Sequence, residues 1–126
     1  MIQRFSYLTG AGILKESRIK IFRDKNGLWN NHRVEDVATP ESFYRNPSSL
    51  VYDLYNKRRK ELNSAIIQNK AHLNFSEIQK YIKINIITQN IDNLHELSGN
   101  SSIIYMHGEL KKARCISTMT FKYMIG

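Results

Sequence analysis

The hydrophobic positions change period along the chain. Phe5 to Leu8 is a short apolar run that reads as a strand and leads into Gly10-Ala11-Gly12. Glu16 to Ile21 fits one or two helical turns, and Asp24-Lys25-Asn26-Gly27 is turn chemistry, because Asn-Gly supplies positive φ. Thr39-Pro40-Glu41 predicts a helix start, with a Thr cap, Pro at the first helical position and an acid near the positive dipole end. Ser48 or Ser49 can cap the longest helix, over 49–68, where Leu50, Leu54, Leu62, Ile66, Val51 and Tyr55 recur at helical spacing. A second helix is predicted over 75–82, with Phe75, Ile78 and Ile82 on one face. Ile84 to Thr88 is β-branched and apolar, as a buried strand is. Asp92 to Leu97 reads as a short helix ended by Gly99, and Ile103 to Met106 as another strand. Strand, Gly-rich turn, helices, strand, helix, strand is the alternation of a parallel α/β sheet.

Composition narrows the picture only a little. The 126 residues suit one domain, and 41% hydrophobic residues suffice for a packed core. The net charge of +8 favours an acidic partner such as nucleic acid, a phosphorylated cofactor or an anionic substrate. The 19 Lys and Arg are scattered except at Lys57-Arg58-Arg59-Lys60, which reads first as a solvated helix face. No nucleic-acid-binding motif accompanies the charge, so a nucleic-acid partner is not expected. Cys115 is the single cysteine, which excludes an intramolecular disulfide and fits a reducing cytosol. No apolar run reaches the ~18 residues of a membrane span, and no signal peptide is read at the N-terminus. A cytoplasmic protein without a membrane partner is expected.

Three segments carry candidate chemistry. Gly10-Ala11-Gly12 after a strand is a recipe for phosphate binding, since small residues let backbone N–H groups approach an anion. Lys15 stands where a third glycine would complete G-x-G-x-x-G, so a simple tight turn is the alternative. Thr88-Gln89-Asn90-Ile91-Asp92-Asn93 follows a buried strand, where two amides and a carboxylate could grip a carboxamide and ribose hydroxyls. The alternative is helix capping by Asn90 or Asp92. His107, beside Gly108 at the end of a strand, can reach a cleft and accept a proton near neutral pH; a structural histidine is the alternative.

These motifs occur together and in order: Gly10-Ala11-Gly12, Phe22-Arg23, Gly27-Leu28-Trp29, Thr88 to His95, and Met106-His107-Gly108-Glu109-Leu110. The series closely resembles the sirtuins, NAD-dependent protein lysine deacylases, over residues 5–115. Leu28 to Pro40 resembles the bacterial desuccinylase-like branch (class III type). The resemblance implies the N-terminal half of a sirtuin fold, a partial Rossmann-like parallel sheet with helices. It implies NAD binding by Gly10, Ala11, Gly12, Ile13, Glu16, Phe22, Arg23 and Trp29, with Gln89, Asn90, Ile91 and Asp92 around nicotinamide and its ribose. His107 maps onto the catalytic base. In the family reaction the acyl-lysine carbonyl oxygen attacks the ribose carbon that bears nicotinamide. His107 would then accept a proton from a ribose hydroxyl, giving free lysine, nicotinamide and an O-acyl-ADP-ribose. Tyr55 and Arg58 match the branch's Tyr-x-x-Arg pair, which binds the distal carboxylate of a succinyl group on an acyl-lysine protein. Arg59 and Lys60 are read as solvated.

The sequence departs from the family at four points. Leu14 replaces a serine near the cofactor, and Arg18 replaces a glycine; positive φ at Arg18 would cost about 1–2 kcal/mol. The family's zinc module takes two Cys-x-x-Cys pairs. Cys115 matches the first ligand, Thr118 stands where the second belongs, and the chain is expected to be truncated before the others. One thiolate cannot build a tetrahedral zinc site, so the zinc module is read as missing. Residues 1–115 are assigned to the domain and 116–126 to an unmatched tail. Together these features imply a deacetylase or desuccinylase impaired or inactive through truncation. The alternative is a non-catalytic, pseudogene-like remnant, or a partial module that binds NAD and acyl-peptide.

Overall fold

The structure, a computed structural model, describes residues 3–18, 32–45, 50–64 and 67–123. Strand β1 (Arg4–Thr9) leads into a single 3-10 turn at Ala11–Leu14. Helices α1 (Val34–Val37), α2 (Pro40–Arg45), α3 (Tyr52–Ser64) and α4 (Lys70–Ile78) precede β2 (Lys83–Thr88). Then come α5 (Leu94–Leu97), β3 (Ile103–Tyr105), β4 (Lys112–Arg114) and β5 (Phe121–Tyr123). Strands β1, β2 and β3 form a parallel sheet in that order, while β4 and β5 form an antiparallel hairpin. This is the parallel α/β sheet that the alternation of elements predicts, in the Rossmann-like form that the resemblance implies. Among the described residues, no helix is long and apolar enough to cross a membrane.

Register fixes which side chains share a face. Tyr7 pairs with Ile86 and Ile86 with Ile103, so Phe5, Tyr7, Ile84, Ile86 and Thr88 point to one side. Helices α4 and α5 cover that side: Phe75 stacks edge-on against Tyr7 at 5.2 Å and against His95 at 5.9 Å. Ile86 and Leu94 are wholly buried there. The other side is open at Leu8 (66% exposed) and Ile104 (56% exposed). A hydrophobic core cluster joins Val37 of α1 to Leu54 of α3, with Val34, Ala38, Leu50, Tyr55 and Ile91 packed against it.

Several element boundaries differ from the expected ones. Thr39 does cap α2, accepting the Ser42 N–H at 3.1 Å, with Pro40 first in the helix. The longest helix, Tyr52–Ser64, is entered through a π-helical turn at residues 50–51, close to the expected start, but it ends short of 68, since Ile67 to Asn69 are not helical. The second helix begins five residues before 75, at Lys70, and ends at Ile78, with Ile82 in the turn that follows. Its start is set by a capping box: Asn69 Oδ1 accepts from the N–H groups of Ala71 and His72, and His72 Nδ1 accepts the Asn69 N–H. Helix α5 begins at Leu94 rather than Asp92, and Gly99 ends it in the left-handed region, φ +85°. Strand β5 lies inside 116–126, where no element is expected from the sequence. Its hairpin closes through Cys115 N–H to Thr120 O (2.9 Å) and Met119 N–H to Cys115 O (2.9 Å), with Met119 itself left-handed at φ +57°. The predicted turn at 24–27 and the Ser48 or Ser49 cap lie outside the described residues.

Candidate nucleotide site at the strand ends

The three parallel strands end level with one another, because Thr9 pairs with Thr88 and Thr88 with Tyr105. The segments that follow them therefore leave the same edge of the sheet, where open α/β sheets bind ligands. The bonds Gln89 N–H to Thr9 O and Met106 N–H to Thr88 O (each 2.9 Å) carry the pairing one step further. Beyond them the segments are cross-linked. Asn90 Nδ2 donates to Gly10 O at 3.0 Å, and Leu110 N–H to Ile91 O at 2.7 Å. The structure thus brings Gly10–Ile13, Gln89–Asp92 and the turn carrying His107 to one edge. Glu16 is an exposed turn residue just beyond the first segment. Phe22, Arg23 and Trp29 lie outside the described residues.

The first segment has the shape that anion binding needs. Gly10 is extended and places its carbonyl to accept the Ile13 N–H at 3.1 Å. The first amides of such a turn have no partner within it. A side chain on Gly10 would press on Gln89 Oε1, 3.1 Å from where its Cβ would lie. One on Gly12 would meet nothing within 4 Å. Among the described residues the space over Gly12 is thus open, and its lack of a side chain serves no packing need there. Leu14, where the family has a serine, points inward and is buried.

The second segment uses its polar groups for structure and keeps others in reserve. Asp92 does cap: its Oδ1 accepts the Leu94 N–H at 3.0 Å. Burial pushes the Asp92 carboxyl up, against the pull of the Leu94 amide and its own. Asn90 caps no helix; its backbone N–H donates to Thr88 Oγ1 and its side chain bridges to the first segment. In the third, His107 is exposed, whereas Tyr105 just before it is held well above the usual phenol range by burial and the nearby Glu96 carboxylate.

The basic run on α3 is not simply solvated. Arg59 is half-buried and donates from Nε to Leu110 O at 2.7 Å, fastening α3 to the segment after β3. Arg58 is buried and forms an ion pair with Glu61 at 3.1 Å. Tyr55 lies against the Val37–Leu54 core, and burial pushes its hydroxyl up, partly offset by the Arg59 charge.

Among the described residues, hydroxyl groups stand around Cys115. The thiol lies 3.1 Å from Ser117 Oγ, and bonds from Ser117 and Thr118 pull it down to about 6. Among the described residues no group of three His, Cys, Asp or Glu could hold a metal ion.

Arg18, just past the first segment, adopts φ +59°. The position thus does need the left-handed region, where a side chain is strained. Arg18→Gly is expected to raise stability by about 1 kcal/mol, read as a higher urea midpoint at unchanged slope.

Sequence reading missed Asn69, whose side chain reaches the Gly-rich segment, Thr9, whose hydroxyl meets His95, and the anchor at Arg59. The Asn69-x-x-His72 spacing is a capping-box signal that could have found the first. Nothing local marks the other two, since their partners lie 86 and 51 residues away.

A parallel sheet whose strand ends bring a Gly-Ala-Gly turn beside the Gln89–Asp92 segment has the architecture of an α/β protein. The model of the Sir2 family matches residues 10–124, and the chain belongs to that family. It is 57% identical over 111 residues to the NAD-dependent protein deacylase of Vibrio cholerae, a match covering 86% of this chain and 45% of that one. The chain therefore spans about half the length of the curated relatives it matches. A solved Sir2 homologue–NAD complex superposes with a TM-score of 0.81 at 39% identity, covering 96% of this chain and 46% of that one. A Sir2 protein bound to a myristoylated histone peptide gives a TM-score of 0.64 at 25% identity, covering 96% and 43%.

Proposed function

We propose that this chain forms the nucleotide-facing half of an NAD-dependent protein lysine deacylase site. One observation carries the reading: three strand ends in register, with Asn90 tying the second segment to the first. Membership of the Sir2 family and the likeness to an NAD complex support it.

In this reading the first amides of the turn, those of Ala11 and Gly12, face the pyrophosphate. Gln89 and Asn90 face the carboxamide and Asp92 the ribose. Asn90 already commits Nδ2 to Gly10, so Oδ1 is its atom for a ligand; Asp92 likewise keeps Oδ2. His107, exposed at the same edge, would take a proton from a ribose hydroxyl, as a neutral imidazole can. The substrate class is an acyl-lysine protein. Succinyl preference through Tyr55 and Arg58 would require Arg58 to exchange Glu61 for the acyl carboxylate.

Gly12→Val tests the reading. A Cβ at this position meets no atom of the described residues within 4 Å, so the melting temperature should stay within about 2 °C while NAD affinity falls at least about tenfold by calorimetric titration. Equal NAD binding by both proteins, or none by the wild type, would reject it.

A further inference from the structure

We propose that Asn69 is the positioning residue of the Gly10–Ser17 segment: its side chain joins the start of α4 to the end of that turn and so holds the nucleotide-binding shape. The inference rests on the reading of that segment as the nucleotide site. Asn69 works in two directions at once. Its Oδ1 faces α4, accepting from Ala71 N–H (3.0 Å) and His72 N–H (3.4 Å). Its Nδ2 faces the turn, donating to Ile13 O (2.5 Å) and to Ser17 Oγ (2.9 Å). The orientation of the amide follows from these partners, since only oxygen can accept from two N–H groups and only nitrogen can donate to a carbonyl.

The other end of the segment is held by different groups. Asn90 Nδ2 reaches Gly10 O, and His95 Nε2 lies 3.2 Å from Thr9 Oγ1. The two anchorages meet in the protein interior. His72, beside Asn69, packs edge-on against His95 with ring centroids 4.9 Å apart. Asn100 Nδ2 donates to the carbonyl oxygens of both, each at 3.0 Å. Ser17, His72 and His95 are buried, so the hydrogen bonds that fix the turn are partly shielded from water. Between the anchors, Gly12 stays exposed. A turn fixed at both ends and open in the middle presents its amides to a ligand without reordering on binding, which favours affinity.

The experiment separates this role from helix capping. Asn69→Asp keeps an oxygen toward Ala71 and His72 and adds charge at the helix start, where it is favoured, but removes the donor to Ile13. The expected result is a melting temperature within a few degrees of wild type, amide exchange over residues 13–17 about tenfold faster in the free protein, and a Kd for NAD about tenfold weaker. Asn69→Ala should show the same faster exchange together with a clear loss of melting temperature. Wild-type exchange in Asn69→Asp, or faster exchange with an unchanged Kd, overturns the assignment. A wild-type chain that binds no NAD defeats the nucleotide reading instead, and the exchange of residues 13–17 then decides alone whether Asn69 holds the turn.

Discussion

Ile86→Ala is expected to cost about 2–5 kcal/mol, while Leu8→Ala, on a neighbouring strand of the same sheet, costs under about 0.5 kcal/mol. Ile86 is wholly buried in the central strand, between Tyr7 and Ile103 and beneath α4 and α5. Truncating it loses transfer free energy and leaves a cavity that the paired strands on either side cannot close. Leu8 points to the opposite face and is 66% exposed, so its methyl groups are already in water. Parallel sheets are ordinarily covered on both faces, and this contrast measures how one-sided the burial is. Urea unfolding of the two variants gives both numbers. Equal losses would mean that the face bearing Leu8 and Ile104 is packed after all.

The second large effect is a loss of stability in mild acid. His95 is 2% exposed, and burial first, then the neighbouring His72, pushes its imidazole down to about 4 from an ordinary 6.5. Burial lowers His72 as well. A base with a depressed folded pKa stays neutral in the fold while the unfolded chain takes up its proton. Stability is therefore full above pH 6.5 and falls as the pH drops toward 4, by up to about 3 kcal/mol for His95. Asp92, whose carboxyl is raised, acts in the opposite sense at the acid end, because the fold favours its protonated form. His95→Gln keeps a polar atom for Thr9 without titrating, so it isolates the histidine. Its stability should change less between pH 6.5 and 4 than that of the wild type. The same slope in both proteins would remove His95 from the account.

The sequence made the sheet legible because its strands are short, apolar and followed by unmistakable punctuation. Gly10-Ala11-Gly12 ends one, Gln89-Asn90 the next and His107-Gly108 the third. Strand ends in a parallel sheet must meet, so the candidate site came with the strands. What local pattern did not show was set by distant partners. Helix α4 starts at Lys70 because Asn69 caps it and is in turn bound to Ile13 and Ser17, more than fifty residues earlier. The run Lys57 to Lys60 looks solvated along the chain, yet Arg59 finds Leu110 and Arg58 is buried beside Glu61. Asn90 and Asp92 could equally cap or bind by sequence alone. The fold assigns capping to Asp92 and cross-linking to Asn90. The hairpin at Lys112–Tyr123 escaped notice because its closure rests on a left-handed Met119, a residue type that carries no turn signal.

The central claim is that three strand ends make one nucleotide site. Amide hydrogen exchange of the folded chain with and without NAD tests it most directly. The account predicts added protection in residues 10–14, 89–92 and 106–109 together, saturating at one NAD concentration. Protection in none of the three, or in one without the others, would contradict it.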